Sequence, residues 1–136
     1  MALYLLDTTA FSDLMREHRK VEARVAVLAL TGRVFICSIV RGEVRYGLES
    51  LPRGRKQREV EAKVMALFAT LACEPVPEVA GDYYGRIKRE AEKRGLALSE
   101  NDLWIGATAL ALDAILVTRD SDFQRVPGLL VEDWTK

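Results

Sequence analysis

The stretch Ala2-Leu3-Tyr4-Leu5-Leu6-Asp7-Thr8-Thr9 decides the fold. Residues 2–6 are an apolar run that reads as a buried strand, and the acid and two threonines that end it can cap a helix. That helix carries Phe11, Leu14 and Met15, and a second runs through Val21, Val25, Leu28 and Ala29 to a stop at Gly32. A second strand follows at Val34–Cys37, then a helix from Ser38 to about Leu48. Val60, Val64, Leu67, Phe68 and Leu71 repeat at i, i+4, i+7, i+8, so residues 53–70 read as a long amphipathic helix. Residues 74–77 connect it to another helix, 78–94, halted at Gly95. Ser99 opens a helix that is almost wholly apolar after Trp104. Residues 115–118 form a compact strand, and 129–132 a last one after the turn at Pro127-Gly128. Strands alternating with helices predict an α/β domain around a parallel sheet.

At 136 residues the chain is expected to be one domain, 1–136, large enough to bury a core without staples. Lys plus Arg and Asp plus Glu both number 20, so net charge alone favours no partner. The balance is uneven: residues 1–94 hold 17 bases and 13 acids, net +4, and residues 95–136 hold 3 and 7, net −4. Cys37 and Cys73 form no C-x-x-C pattern, which excludes a disulfide framework or structural zinc site and fits a reducing, cytoplasmic setting with both thiols buried. The first residues lack a basic n-region, so no signal peptide is expected, and the uncharged stretch 103–112 is far below the ~20 residues of a membrane span.

Asp7, Glu43, Asp102, Asp120 and Asp122 adjoin apolar sequence, where an unpaired carboxylate is costly to desolvate. Asp7 and Asp120 each follow a strand, and in open parallel sheets the ligand crevice lies beyond the carboxyl ends of strands. Glu43 has Ile39, Val40, Tyr46 and Gly47 at i±3 and i±4 and so borders an apolar helical stripe. Gly42 and Gly47 beside it are poor helix formers, which suggests close packing or close approach of the backbone to something. Asp102 stands in the first turn of the apolar helix. Each acid also admits a purely structural role. Ser99-x-x-Asp102 is a capping-box pattern and Asp7 can cap the next helix. Glu43 can pair with Arg41, Arg45 or another base, and Asp120 with Asp122 can form an Asx-rich turn.

Carboxylates gathered in one crevice repel one another unless a cation holds them. An all-oxygen set favours a hard ion, Mg²⁺ or Mn²⁺, and such an ion beside a phosphate ester suits phosphodiester hydrolysis. His18 is the only histidine and lies in a charged, solvated stretch, so Ser-His-Asp or Cys-His chemistry has no support. Asp7-Thr8-Thr9 does not meet the D-x-D-x-T phosphotransferase pattern. Two basic clusters, Arg53, Arg55, Lys56 and Arg58, then Arg86, Lys88, Arg89, Lys93 and Arg94, either guide a nucleic-acid backbone or form solvated helix faces.

Five blocks in order, Leu5-Leu6-Asp7-Thr8, Ile39-Val40-Arg41-Gly42-Glu43-Val44-Arg45-Tyr46-Gly47-Leu48, Asn101-Asp102-Leu103-Trp104-Ile105-Gly106-Ala107-Thr108-Ala109, Leu116-Val117-Thr118-Arg119-Asp120-Ser121-Asp122-Phe123 and Val126-Pro127-Gly128-Leu129, followed by Val131-Glu132-Asp133-Trp134, run nearly end to end. Together they resemble the PIN-domain family, specifically the VapC-type toxin ribonucleases of toxin–antitoxin pairs. The resemblance implies a three-layer α/β/α domain with a central parallel sheet. It implies a metal-binding quartet of Asp7, Glu43, Asp102 and Asp120, with Thr118 as a supporting hydroxyl and Asp122 as the alternative fourth ligand. It further implies RNA cleavage with Mg²⁺ or Mn²⁺, silencing by a small VapB-like antitoxin that wraps the helical surface and inserts an Arg toward the acids, and assembly as a homodimer and toxin–antitoxin hetero-oligomer. The competing expectation is a non-catalytic PIN-like subunit that binds a DNA-binding antitoxin and contributes to operator regulation. The stripe from Val60 to Leu71 is then either a partner or dimer surface or a core-facing seam.

Overall fold

The computed structural model describes residues 1–136. Its elements, in chain order, are β1 (Tyr4–Leu6), α1 (Thr8–Met15), α2 (Arg19–Ala29), β2 (Val34–Cys37), α3 (Ser38–Glu49), α4 (Arg55–Thr70), β3 (Ala72–Glu74), α5 (Ala80–Arg94), α6 (Glu100–Ala111), β4 (Ile115–Val117), a 3₁₀ turn (Ser121–Arg125) and β5 (Val131–Glu132). All four strand pairings are parallel and the sheet order is β3-β2-β1-β4-β5. The chain therefore winds outward from β1 to one edge, crosses back, and winds outward again from β4. β1 and β4 flank the switch point, where Leu6 pairs with Val117. The residues that follow these two strands, Asp7 and Thr118, are thereby brought side by side.

Leu5, Leu6, Ile36, Leu116 and Val117 are sealed in the sheet, and Phe11, Val40, Ile105 and Phe123 cover it from the helices, all in one continuous apolar cluster. Full burial explains the continuous rather than alternating apolar strands. Gly95 ends α5 at φ +65, a left-handed position that a side chain disfavours, and Leu96 donates back to the Ala91 carbonyl to close the turn. The α4 stripe faces mainly inward: Val64 and Leu71 are buried, and the rings of Phe68 and Phe11 lie 5.6 Å apart. Its N-terminal part, Val60 and Val64, also lines a shallow groove of about 290 Å³ with Phe11, Met15, Val44 and Leu48. No helix is long and apolar enough to cross a membrane.

Several expectations are corrected. β1 is shorter than residues 2–6, and β3 (Ala72–Glu74) is a strand where none is expected, overlapping the start of the 74–77 connector. β3 is a three-residue edge strand with every side chain exposed, held by pairing with Phe35, Ile36 and Cys37, so it carries no apolar pattern to read. Cys37 is buried, but Cys73 on that edge is exposed. His18 is half-buried and caps α2, its Nδ1 accepting from the Val21 N–H at 3.4 Å.

Candidate active site

Asp7 is only 2% exposed. Its N–H continues the β1–β4 ladder to the Val117 carbonyl, and its carboxylate caps α1: Oδ1 accepts from the Ala10 N–H at 2.9 Å and from the Thr9 hydroxyl at 2.7 Å. Burial pushes its pKa above the ordinary carboxylate value, against the hydrogen bonds, with the negative charge of Asp102 adding to the rise.

Asp102 and Ser99 form a reciprocal capping box at the start of α6. The Asp102 N–H donates to Ser99 Oγ and Asp102 Oδ2 accepts from the Ser99 N–H, both at 3.1 Å. Burial raises the Asp102 pKa as well, reinforced by Asp120 and Glu43. That end of α6 is braced against α5, where Tyr84 stacks on Trp104 with centroids 4.1 Å apart and Lys88 reaches Glu100 at 2.6 Å.

Glu43 does not pair with its neighbouring arginines. Its Oε1 accepts from the Thr8 hydroxyl, while Arg41 lies over the Phe68 ring and Arg45 faces Glu49 and Glu61. Asp120 caps the 3₁₀ turn through Oδ1, which accepts from the Asp122 N–H at 3.0 Å. Asp122 points elsewhere: its Oδ2 accepts from the Ala97 N–H at 3.0 Å and ties down the loop before α6.

The structural roles considered for Asp7, Asp102 and Asp120 are therefore real, yet they do not exhaust these side chains. Asp7, Glu43, Asp102 and Asp120 each take their close hydrogen bonds through one oxygen, Oδ1, Oε1, Oδ2 and Oδ1 respectively. Capping at Asp7, Asp102 and Asp120, and the Thr8 hydroxyl at Glu43, set the direction of each carboxylate, and Thr118 adds a further hydrogen bond to Asp7. The four are linked electrostatically through Asp102, but no three His, Cys, Asp or Glu side chains are grouped closely enough to hold a metal ion as they stand. The donor chemistry, oxygen throughout, suits a hard divalent cation.

Sequence reading missed the support beneath this set. Asp13 is buried on α1 and its Oδ2 meets Arg119 Nε at 2.8 Å. The Arg119 N–H donates to Thr9 Oγ1 at 3.3 Å, and the Asp120 N–H to Thr118 Oγ1 at 3.0 Å. This network fastens the segment 118–120 to α1, and so Asp120 to Asp7. Asp13 occupies no apolar stripe and offers no signal; Arg119 could have been found only as the base between two candidate residues.

Beside Glu43 a cleft of about 500 Å³ opens, lined by Thr8, Ser38, Gly42, Tyr46 and Asn101. Close packing does not explain the helical glycines: a Cβ at Gly42 or Gly47 would meet nothing within 4 Å. Of the basic clusters, the second is largely neutralised by Glu90, Glu92 and Glu100, whereas Arg53, Lys56 and Arg58 form no ion pair.

A parallel sheet of order β3-β2-β1-β4-β5, with Asp7 and Asp120 beyond the ends of β1 and β4, has the architecture of a PIN domain. The family model of that description matches residues 4–129, and the chain belongs to the PIN-domain family. Within it the chain stands among the VapC ribonucleases. It is 30% identical to Ribonuclease VapC2 of Rickettsia felis over 136 residues, covering 98% of this chain and 99% of the relative. It is 31% identical to Ribonuclease VapC1 of Haemophilus influenzae over 137 residues, with the same coverage. Among solved structures, the R. felis VapBC2 complex bound to a promoter DNA fragment matches with TM-score 0.87 at 29% identity, covering 97% of this chain and 98% of that one. VapBC-1 from nontypeable H. influenzae matches with TM-score 0.83 at 27% identity, covering 98% and 99%.

Proposed function

We propose that this chain is a divalent-metal-dependent endoribonuclease, the toxin of a VapBC-like pair, acting on RNA in the cytoplasm. The observation that carries the reading is Asp7, only 2% exposed and hydrogen-bonded by neutral groups, whose carboxylate bears the cost of burial and a further repulsion from the charge of Asp102 with no base paired to it. A cation relieves both costs. In this reading Asp7 and Asp102 hold the principal Mg²⁺ or Mn²⁺, and Glu43 and Asp120 complete the charge and hold the attacking water. Thr118 orients Asp7 and the 118–120 segment. Asp120 is favoured over Asp122 as the fourth ligand because its charge is the one that acts on Asp102, whereas the Asp122 carboxylate is turned toward the Ala97 N–H. The bound metal would lower the pKa of water and stabilise the leaving oxyanion; the chain's own groups position that water and the phosphodiester.

The relatives solved as VapBC complexes support a VapB-like antitoxin as partner, and a homodimer within a toxin–antitoxin hetero-oligomer is the assembly expected of this chain. A non-catalytic subunit would leave a costly carboxylate set without a task. The test is cleavage of total RNA by the purified chain. Mg²⁺ or Mn²⁺ supports discrete cuts, EDTA stops them, and Asp7→Asn abolishes them while the circular-dichroism spectrum is retained. A wild-type chain that cuts no RNA with either metal overturns the reading, as does an Asp7→Asn variant that cuts at the wild-type rate.

A further inference from the structure

We propose that the cleft beside Glu43 is a subsite for one unpaired nucleobase, stacked on Tyr46 and hydrogen-bonded by Asn101. The proposal rests on the ribonuclease reading and extends it to substrate selection.

Tyr46 is 75% exposed on α3, and neither its ring nor its hydroxyl is engaged by another aromatic ring, a cation or a hydrogen bond within the chain. A helical side chain leans over the turn N-terminal to its own Cα, so Tyr46 leans toward position 42. Gly42 stands there, and a Cβ on it would meet nothing within 4 Å. A mid-helix glycine that no packing requires costs helix stability and leaves a slot beneath the Tyr46 ring. The cleft of about 500 Å³ falls in the size range of small-ligand pockets. Asn101, across from α3 and next to Asp102, is exposed, and its amide has no partner in the structure. An amide presents a donor and an acceptor, the pattern needed to read the edge of a splayed base.

Charge chooses the base over the phosphate. Glu43 is the only charged residue lining the cleft, so a phosphate there is repelled, while a neutral π-face on Tyr46 is not. The cleft shares Glu43 with the acid set, so the base it holds is adjacent to the scissile phosphodiester.

The experiment uses the full chain with Mn²⁺ and a pool of randomised single-stranded octaribonucleotides, reading kcat/KM and, by sequencing, the bases flanking each cut. Tyr46→Ala lowers kcat/KM about 5- to 150-fold, the range that base–aromatic stacking supports, chiefly through KM, and Tyr46→Phe recovers it. Asn101→Ala flattens the base preference at one position beside the cut. Gly42→Leu fills the slot and lowers cleavage while the melting temperature rises, a combination that a merely structural role cannot produce. Val27→Ala, at an exposed site on α2, changes neither readout. Wild-type kcat/KM and base distribution in both Tyr46→Ala and Gly42→Leu overturn the proposal. So does a loss confined to antitoxin affinity, which would make the cleft a protein-docking site. If the wild-type chain cleaves no RNA, the ribonuclease reading fails separately, and anisotropy of the labelled pool still decides the subsite: equal Kd for wild type and Tyr46→Ala overturns it.

Discussion

Replacing Asp7 by Asn is expected to abolish catalysis and make the protein more stable. The side chain is 2% exposed, and its raised pKa states the balance of its interactions: the burial cost of the charge exceeds what the hydrogen bonds from Ala10, Thr9 and Thr118 return. Asn keeps the capping geometry, since its carbonyl accepts from the same Ala10 N–H and Thr9 hydroxyl, and Asn caps helices about as well as Asp. The two hydrogen bonds weaken when their acceptor loses its charge, but the larger desolvation cost disappears. A net gain of about 1–2 kcal/mol is expected, typical where a functional site is released from its task. For a chain this size that is roughly a 3–8 °C rise in Tm.

The pH dependence carries the sign. Between the unfolded carboxylate pKa near 3.8 and the higher folded value, the native state keeps a proton the unfolded state has lost, so wild-type stability falls as pH rises through that window. Above it the penalty is complete. The Asp7→Asn advantage is therefore full at pH 7.5 and absent below the unfolded pKa. Calorimetry at pH 7.5 and pH 3, with and without Mn²⁺, measures this. Mn²⁺ raises the wild-type Tm, by about 2.7 kcal/mol in stability at a hundredfold excess over Kd, and leaves the variant nearly unmoved. A variant that melts below the wild type at pH 7.5, or gains equally at pH 3, refutes the reasoning.

Arg119→Ala leaves Asp13 buried beside an empty site; because the guanidinium is itself partly exposed, the loss is about 1–2 kcal/mol, and a double-mutant cycle with Asp13→Ala recovers most of it as coupling. The same variant loosens segment 118–120 and is expected to lower kcat more than KM in the RNA assay. Ser99→Ala removes one arm of the capping box and costs about 1 kcal/mol, read as a lower urea midpoint at unchanged m-value. Ile105→Ala, at a fully buried site under the acid-bearing end of α6, costs about 2–5 kcal/mol in the same titration.

The amino-acid sequence by itself determined the order of strands and helices, because buried parallel strands are apolar runs and helices repeat their apolar faces, both one-dimensional patterns. It also marked the acids, through the cost of placing a carboxylate beside such runs. β3 escaped because an exposed edge strand is defined by its neighbour's hydrogen bonds, not by its own side chains. The choice between Asp120 and Asp122, two residues apart in one turn, was open for the same kind of reason. Only the tertiary structure puts Ala97 within reach of Asp122 and leaves Asp120 beside Asp102. Local sequence presented capping and ligation as alternatives. Tertiary geometry makes them compatible, because a carboxylate has two oxygens and the caps at Asp7, Asp102 and Asp120 occupy only one of each pair in close hydrogen bonds. The approach of Asp7 to the 118–120 segment was decided by the β1–β4 pairing, which brings together positions more than a hundred residues apart in sequence and which no local pattern encodes.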